Sequence, residues 1–192
     1  AGPTVEKIDP VRFITNHSTG KMGYAIATNA MERGAMVTLI SGPVNIEPPM
    51  FVNAVNVTSA KDMYDAVMEN LSDCDILIKA AAVADYTPAA VSNEKMKKKD
   101  NDMSIELMRT KDILKDVGNA KRDNQVVCGF SMETCNMLEN SKKKLVSKKC
   151  DMIVANNLKD EGAGFGVDTN KVTIIMEDGV KELELMTKSQ VA

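Results

Sequence analysis

The sequence contains no tryptophan, one histidine and four cysteines, and none of its apolar runs approaches the roughly 20 residues that a membrane helix needs. Cys74, Cys128, Cys135 and Cys150 form no C-x-x-C pair, and His17 alone cannot complete the ligand sets of common zinc sites. No signal-peptide pattern is visible. We therefore expect buried, reduced thiols and a cytoplasmic protein.

Charge is nearly balanced, with 24 lysines and arginines against 27 aspartates and glutamates, and the formal net charge is -3. This balance offers no basic surface, so neither nucleic acid nor a membrane is expected as a partner. A hydrophobic fraction of 44% and a charged fraction of 27% are typical of a globular protein. We predict a single domain over residues 1–192 and, because the first residue is Ala1, a piece trimmed from a longer chain.

Residues 16–23 (NHSTGKMG) carry the strongest local signal for a ligand site. They stand where an irregular segment gives way to a helical pattern over residues 22–33, which Gly34 ends. Hydroxyls and a glycine ahead of a helix leave its first N–H groups free to bind an anion, and Lys21 adds positive charge. The stretch fits neither the phosphate-loop nor the dinucleotide pattern, so an ordinary helix cap with a tight turn remains the alternative.

Short apolar runs alternate with helical patterns through the rest of the chain. The predicted strands cover residues 37–40, 51–57, 75–82, 103–108, 126–130 and 151–155. The predicted helices cover residues 59–71, which Ser59 and Asp62 open as a capping box, 112–120 and 133–149. Residues 171–176 and 181–185 form a predicted hairpin, while 11–14, 89–102 and 156–168 are predicted to be irregular.

This order predicts an α/β, Rossmann-like fold, with a mainly parallel sheet, helices on both faces and a C-terminal antiparallel hairpin. The continuous apolar character of residues 75–82 predicts a strand buried on both faces. Ligands of such sheets bind beyond the carboxyl ends of the strands. Four segments follow predicted strands and are polar, although their polar residues do not form the solvent-exposed face of a helix. We expect the ligand site at these segments, which are residues 41–43, 80–86, 129–134 and 156–157.

Several motifs occur in the same order as in a known family. They are AGPT (1–4), DPVR (9–12), NHSTGKMG (16–23), SGP (41–43), AAAVADY (80–86), EKMKK (94–98) and GFSMET (129–134). Over essentially the whole chain they resemble the phosphopantothenate–cysteine ligase domain of the bacterial bifunctional coenzyme A biosynthesis protein. That domain usually follows a flavin-dependent decarboxylase domain, and the resemblance implies FMN only there.

The resemblance implies a two-step ligation in coenzyme A biosynthesis. CTP and 4′-phosphopantothenate form an acyl-cytidylate with release of pyrophosphate. The amine of cysteine then displaces CMP and gives 4′-phosphopantothenoylcysteine. The resemblance also implies Mg²⁺ with the triphosphate, and a cytoplasmic homodimer within a larger assembly.

The resemblance also implies which residues act. Asn16 would hold the acyl group for the amine, and Lys95, on a loop that closes over the centre, would neutralise the reacting phosphate; His17 ranks below Asn16. The residues implied in CTP binding are Ser18, Gly20, Lys79, Ala80, Ala81, Asp85, Lys95, Lys111, Asp112, Ile113, Leu114, Phe130, Lys144 and Lys148. Those implied in phosphopantothenate binding are Asn16, Arg12 and Ala82. It identifies no metal ligand and no residue for cysteine.

Each assignment has an ordinary structural alternative. Asp85 is also typical of a helix cap or a turn, and Phe130 of a core. Lys144 and Lys148, one helical turn apart, are equally typical of a solvated face. The loop lysines 97–99 are also typical of solvating charge.

The chain departs from the family at three points. The family's first strand and final helix have no predicted counterpart here, and Lys111 stands where proline is common. Two other functions remain open. One is a nicotinamide-dependent dehydrogenase on a Rossmann sheet, and the other is a non-catalytic nucleotide-binding or dimerisation module.

Overall fold

The computed structural model describes residues 1–98, 102–157 and 162–192. Its helices are α1 (Lys21–Glu32), α2 (Ala60–Asn70), α3 (Ile113–Ala120), α4 (Met137–Ser147) and α5 (Lys188–Val191), with a 3₁₀ turn (Leu71–Asp73) after α2. Its strands are β1 (Glu6–Lys7), β2 (Phe13–Ile14), β3 (Thr38–Ser41), β4 (Asn53–Asn56), β5 (Ile76–Lys79), β6 (Tyr86–Pro88), β7 (Leu107–Arg109), β8 (Val126–Glu133), β9 (Met152–Asn157), β10 (Thr169–Asn170), β11 (Thr173–Met176), β12 (Gly179–Glu182) and β13 (Met186–Thr187).

A five-stranded sheet in the order β12-β11-β9-β8-β5 forms the centre of the molecule. Strands β5, β8 and β9 are parallel, with Ile76 opposite Val126 and Cys128 opposite Met152. The hairpin of β11 and β12 joins β9 in the antiparallel direction. The predicted fold, a mainly parallel sheet with a C-terminal antiparallel hairpin, is confirmed.

Residues 1–4 connect this sheet to a second parallel pair, β3 and β4. On one side the Gly42 N–H donates to the Ala1 carbonyl at 3.0 Å. On the other, the Ala82 N–H donates to the Gly2 carbonyl at 2.9 Å, and Pro3 forms a parallel bridge to Ala82. The segment therefore brings the carboxyl ends of β3 and β5 to one edge.

Helices cover both faces of the large sheet. Helices α2, α3 and α4 pack on one face over a core that includes Val117, Val127, Ile153 and Ile175. On the other face Cys128, Val154 and Val172 pack with Val191 of α5. Helix α1 packs on β3 through Tyr24, Ala27 and Leu39. None of the described helices is long and apolar enough to cross a membrane.

Two predicted helix ends, the start of α2 and the end of α1, are confirmed. The Ser59 hydroxyl accepts from the Asp62 N–H, and the Asp62 carboxylate accepts from the Ser59 N–H, which is the predicted capping box. Gly34 follows α1 with a φ of 88°, in the left-handed region that glycine adopts without strain.

Several predictions from the sequence are wrong. Residues 11–14 contain β2, which pairs with β1, and the strand predicted over 103–108 is only β7 (Leu107–Arg109), because it pairs with the short β6. β5 is an edge strand of its sheet, so Ile76 and Ile78 are 62% and 41% exposed instead of buried.

Helix α4 begins at Met137, later than predicted, because β8 continues to Glu133 and Asn136 has a φ of 49°. Residues 99–101 and 158–161, which belong to two predicted loops and include Lys99, lie outside the described residues.

Gly118 allows α3 to approach the end of α4. A Cβ atom at this position would lie 1.9 Å from the Lys148 carbonyl oxygen, so the two elements would have to separate. We expect Gly118→Ala to lower the free energy of unfolding by about 1–3 kcal/mol, which lowers the melting temperature by roughly 3–10 °C. Gly179→Ala is the matched control, since a Cβ there meets nothing within 4 Å. Equal melting temperatures of the two variants would contradict the packing argument.

Candidate functional site

A cavity of about 200 Å³ opens at the carboxyl edge of the parallel strands. Four parts of the chain meet in it: the start of α1, the segment after β5, the ends of β8 and β9, and the segment before α5. Its lining consists of Ser18, Thr19, Gly20, Lys21, Met22, Gly23, Lys79, Ala80, Ala81, Ala82, Val83, Phe130, Met132, Asn156, Gly164, Phe165, Asn170 and Lys188.

The start of α1 has the geometry of an anion site. Gly20 is its N-cap, with a φ of 79°, and no side chain in the described residues caps the helix. The first turn contains no acidic residue, and Lys21 is its first residue. Uncapped N–H groups and the positive end of the helix dipole therefore face the cavity. The helix therefore begins with a glycine cap in a tight turn and without a side-chain cap, a geometry that also fits the structural alternative.

Asn16 joins this stretch to the segment after β5. Its amide nitrogen donates to the Ala82 carbonyl at 2.6 Å, and its amide oxygen accepts from the Ser18 N–H at 3.0 Å. The structure thus brings together Asn16 and Ala82, two of the three residues predicted for phosphopantothenate. An amide carries two N–H donors, and only one of them is used in the bond to Ala82, although Asn16 itself lies outside the cavity lining.

Lysines gather on the α3 and α4 side of the same edge. Lys144 donates to Glu133 at 2.7 Å and to the Ser131 hydroxyl at 2.9 Å, and Lys148 donates to Asp112 at 2.8 Å. Burial lowers the pKa of the Lys79 ammonium, and the nearby Lys148 lowers it further. The two α4 lysines are thus paired with carboxylates at the sheet edge and do not form only a solvated face.

The other residues predicted for CTP lie around this group. Asp112 caps α3 by accepting from the Lys115 N–H, and the Ile113 and Leu114 side chains are buried, so only their backbone can meet a ligand. The Lys111 ammonium lies 4.2 Å from the centroid of the Tyr64 ring. Phe130 lines the cavity with Ala80 and Ala81.

Asp85 is exposed and lies outside the cavity lining. It precedes β6 and caps no helix, which removes one of its structural alternatives. Its backbone carbonyl accepts from the Thr110 N–H at 3.0 Å, which fixes the segment that carries the carboxylate.

The loop that carries Lys95 is attached to Arg12 and Asp9. Arg12 donates to Asp9 at 2.6 Å and to the Met96 carbonyl at 2.7 Å, while the Met96 N–H donates to Asp9 at 3.1 Å. Burial raises the pKa of Asp9, but hydrogen bonds from Val11, Arg12 and Met96 hold it well below its usual range. Arg12 and Lys95 are therefore brought close in the fold, although neither lines the cavity.

A glycine-rich segment before α5 forms a further wall that sequence reasoning missed. The Thr19 hydroxyl donates to the Phe165 carbonyl at 2.6 Å, and Lys21 donates to Asp168 at 2.6 Å. Buried Lys188 donates to the carbonyls of Gly164 at 2.9 Å and Val167 at 2.5 Å.

Asn156 and Asn170 also line the cavity. Residues 156–157 belong to a segment where the sequence predicts the site, although without a specific role, and Asn170 was not predicted. Two signals were present in the sequence. Gly162, Gly164 and Gly166 mark the loop, and Asn156 follows a predicted strand directly.

Comparison with known proteins identifies the family. All of residues 1–192 match the family described as DNA/pantothenate metabolism flavoprotein C-terminal domain, so the chain belongs to this family. It is 53% identical over 194 residues to the Coenzyme A biosynthesis bifunctional protein CoaBC of Bacillus subtilis (strain 168), with all of this chain but 48% of the relative aligned. The chain therefore spans about half the length of the curated relatives it matches.

Two solved structures show the same fold. A crystal structure of the C-terminal domain of Coenzyme A biosynthesis bifunctional protein CoaBC is 48% identical, with a TM-score of 0.84 over 100% of this chain and 86% of that one. A Cab2 mutant in complex with phosphopantothenate-cysteine has a TM-score of 0.82 over 100% of this chain and 82% of that one. At 14% identity, the second likeness concerns the fold alone.

Proposed function

We propose that this chain is a phosphopantothenate–cysteine ligase that uses CTP and acts in coenzyme A biosynthesis. The observation that carries the proposal is one edge of the sheet, where an uncapped helix N-terminus, the Asn16–Ala82 pair and the lysines of β5 and α4 lie together. Membership of the family and the full-length likeness to CoaBC support it.

In the first step, the carboxylate of 4′-phosphopantothenate attacks the α-phosphorus of CTP. A P–O bond to the acyl oxygen forms, the bond to the β-phosphate breaks, and pyrophosphate leaves. Two anions meet in this step, so the site must supply positive charge. Lys79, Lys144, Lys148 and the α1 N-terminus supply it for the phosphates, and Lys95 supplies it from the loop at the reacting phosphorus.

In the second step, the amine of cysteine attacks the acyl carbon of the cytidylate. The C–N bond forms, the bond to the cytidylate oxygen breaks, and CMP leaves while the nitrogen loses a proton. The free N–H of Asn16 donates to the acyl carbonyl as negative charge develops there. Ala82 keeps the Asn16 amide in place through their 2.6 Å hydrogen bond.

A Mg²⁺ ion fits this edge only as a companion of the triphosphate. Among the described residues, no group of three or more His, Cys, Asp or Glu side chains is placed to hold a metal ion. Mg²⁺ in such enzymes typically takes one or two carboxylates and substrate phosphates. Asp112 does not fit the ion, because its two carboxylate oxygens already accept from the Lys115 N–H and the Lys148 ammonium. The ion would therefore be held mainly by the substrate phosphates, whose charge it would neutralise.

We also propose that the chain forms a homodimer. The β1–β2 and β6–β7 hairpins, which touch through β1 and β6, expose Val11, Phe13, Leu107 and Met108 together. Apolar patches of this kind are typical of interfaces, and a second copy of the chain would cover this patch.

Sedimentation should give a dimer for the wild-type chain and a monomer for Phe13→Glu, because the substitution places a charge in the apolar patch. A wild-type monomer at micromolar concentration would contradict the proposal.

We expect CTP with Mg²⁺ to stabilise the chain against heat. A ligand that binds only the folded state at 100 times its Kd adds about 2.7 kcal/mol, which raises the melting temperature by roughly 5–10 °C for a chain of this size. Parallel samples with ATP and with NAD test selectivity. A shift with NAD alone favours the dehydrogenase, and no shift with CTP contradicts the ligase.

Turnover separates the ligase from a binding module. With CTP, phosphopantothenate and cysteine, the ligase releases one pyrophosphate and one CMP per product. CTP binding without pyrophosphate release would favour the non-catalytic nucleotide-binding module.

A further inference from the structure

We infer that Asn156 recognises the nucleobase of the bound nucleotide through its side-chain amide. Asn156 is 4% exposed, lies near the carboxyl end of β9 and lines the cavity. Across residues 1–98, 102–157 and 162–192, its side-chain amide makes no hydrogen bond, and the amide is open to the cavity. This inference rests on the proposed function, since it concerns the nucleotide of the same site.

The Asn156 amide is accessible from the cavity and is not sealed inside the fold. Among the described residues, the one buried side-chain polar atom left without a partner is the Ser141 hydroxyl oxygen. The Asn156 amide belongs to the cavity wall, so a ligand in the cavity can provide the missing partners. This is the arrangement expected of a recognition group that is satisfied only in the complex.

The surroundings of Asn156 define the ligand that would fit. Met132 lies directly opposite Asn156 in the register of β8 and β9, and Phe130, two residues earlier, lies on the same face. The amide therefore stands at the end of an apolar surface. A flat, apolar ring with a donor and an acceptor on one edge matches both features. Cytosine has such an edge, since its N3 accepts and its N4 amino group donates.

The position of Asn156 favours the nucleotide over the acyl substrate. The Asn16–Ala82 pair, proposed for phosphopantothenate, lies just after β5, and β9 is separated from β5 by β8. Two strand spacings amount to about 10 Å. A nucleotide can span this distance with its base at β9 and its phosphates toward β5 and the α1 N-terminus. The amide of the pantothenoyl chain is the competing partner, and the experiment distinguishes the two.

The test replaces the amide by an apolar group of similar size. Calorimetry on Asn156→Leu should give a Kd for CTP that is about 10- to 100-fold higher, the range for losing a two-bonded base contact, and an unchanged Kd for phosphopantothenate. The melting temperature without ligand should stay close to that of the wild type, because the amide has no hydrogen bond in the free protein that the substitution could remove. Asn156→Asp, which keeps the size but removes the donor, should also weaken CTP binding.

Asn53→Leu is the matched control, since Asn53 also lies in a strand and is outside the cavity. Unchanged CTP affinity in Asn156→Leu would overturn the inference while leaving the ligase intact. Weaker binding of phosphopantothenate alone would assign the amide to the acyl substrate, which also overturns it. A lower melting temperature of the free variant would indicate a structural role. If the wild-type chain binds no CTP, both the proposed function and the inference fail.

Discussion

Lys95→Gln is expected to slow acyl-cytidylate formation by about 10²–10³-fold, while the Kd for CTP changes much less. The Lys95 side chain is exposed and lies outside the cavity lining in the free protein. A charge that reaches the phosphorus only as the reaction proceeds stabilises the transition state more than it stabilises the complex with CTP. Removing it therefore lowers kcat before it lowers affinity.

The structure gives this prediction a physical basis. The backbone of Met96, next to Lys95, is held on both sides by Asp9 and Arg12, so the loop starts from a defined position. Lys95 is thus carried by a fixed backbone, and its long side chain is the part that would move toward a bound phosphate.

Lys97→Gln is the matched control for Lys95→Gln. Lys97 is exposed on the same loop, and we expect its loss to leave the rate of cytidylate formation within about threefold, as for a surface charge. The measurement is the pyrophosphate burst in a single turnover, with CTP affinity measured separately. Equal losses in both quantities for Lys95→Gln would make Lys95 a binding residue only, and equal effects of the two variants would make it a general surface charge.

The fold was predictable where the signal is local. The alternation of apolar runs and helical patterns predicts the parallel sheet, and Ser59, Asp62 and Gly34 define helix ends by their own hydrogen bonds and backbone angles. β1 and β2 were missed because each has two residues, which is too short for a periodic pattern. The exposure of Ile76 and Ile78 depends on the order of strands in the sheet, which is not local information.

The candidate site, like the fold, was predictable only where the signal in the sequence is local or follows a general rule. The helix N-terminus at Gly20 was predictable because hydroxyls and glycine ahead of a helical pattern have a local meaning. Which strand ends meet in the cavity was predictable from the general rule for parallel sheets. The role of Lys188 was not, because its carbonyl partners lie in a loop more than 20 residues earlier and its burial is a tertiary property.

Asn16→Asp is expected to let the first step proceed and to block the second, so that acyl-cytidylate accumulates on the protein. Formation of the cytidylate depends on positive charge around the phosphates, which Lys79, Lys95, Lys144 and the α1 N-terminus supply without Asn16. Its consumption depends on a donor at the acyl carbonyl. Losing one such donor typically costs about 10²–10³ in rate, which makes the second step limiting.

The hydrogen bonds of Asn16 explain why aspartate is a severe change despite its similar size. The amide nitrogen lies 2.6 Å from the Ala82 carbonyl oxygen, and a carboxylate oxygen in its place would face that oxygen without a proton between them. The carboxylate keeps the bond from the Ser18 N–H, so the residue stays near its position. Both N–H donors are lost, and a negative charge stands where the acyl carbonyl becomes negative.

His17→Gln is the control for Asn16→Asp, because His17 is the neighbouring side chain that could otherwise act as a base. His17 is exposed, and we expect its loss to leave both steps near normal. The measurement is a quench-flow experiment with CTP labelled in its cytidine, with and without cysteine. Cytidylate that accumulates in Asn16→Asp and persists after cysteine is added supports the assignment. A variant that forms no cytidylate, or that consumes it normally, excludes this role for Asn16, and a second-step defect in His17→Gln transfers the role to the histidine.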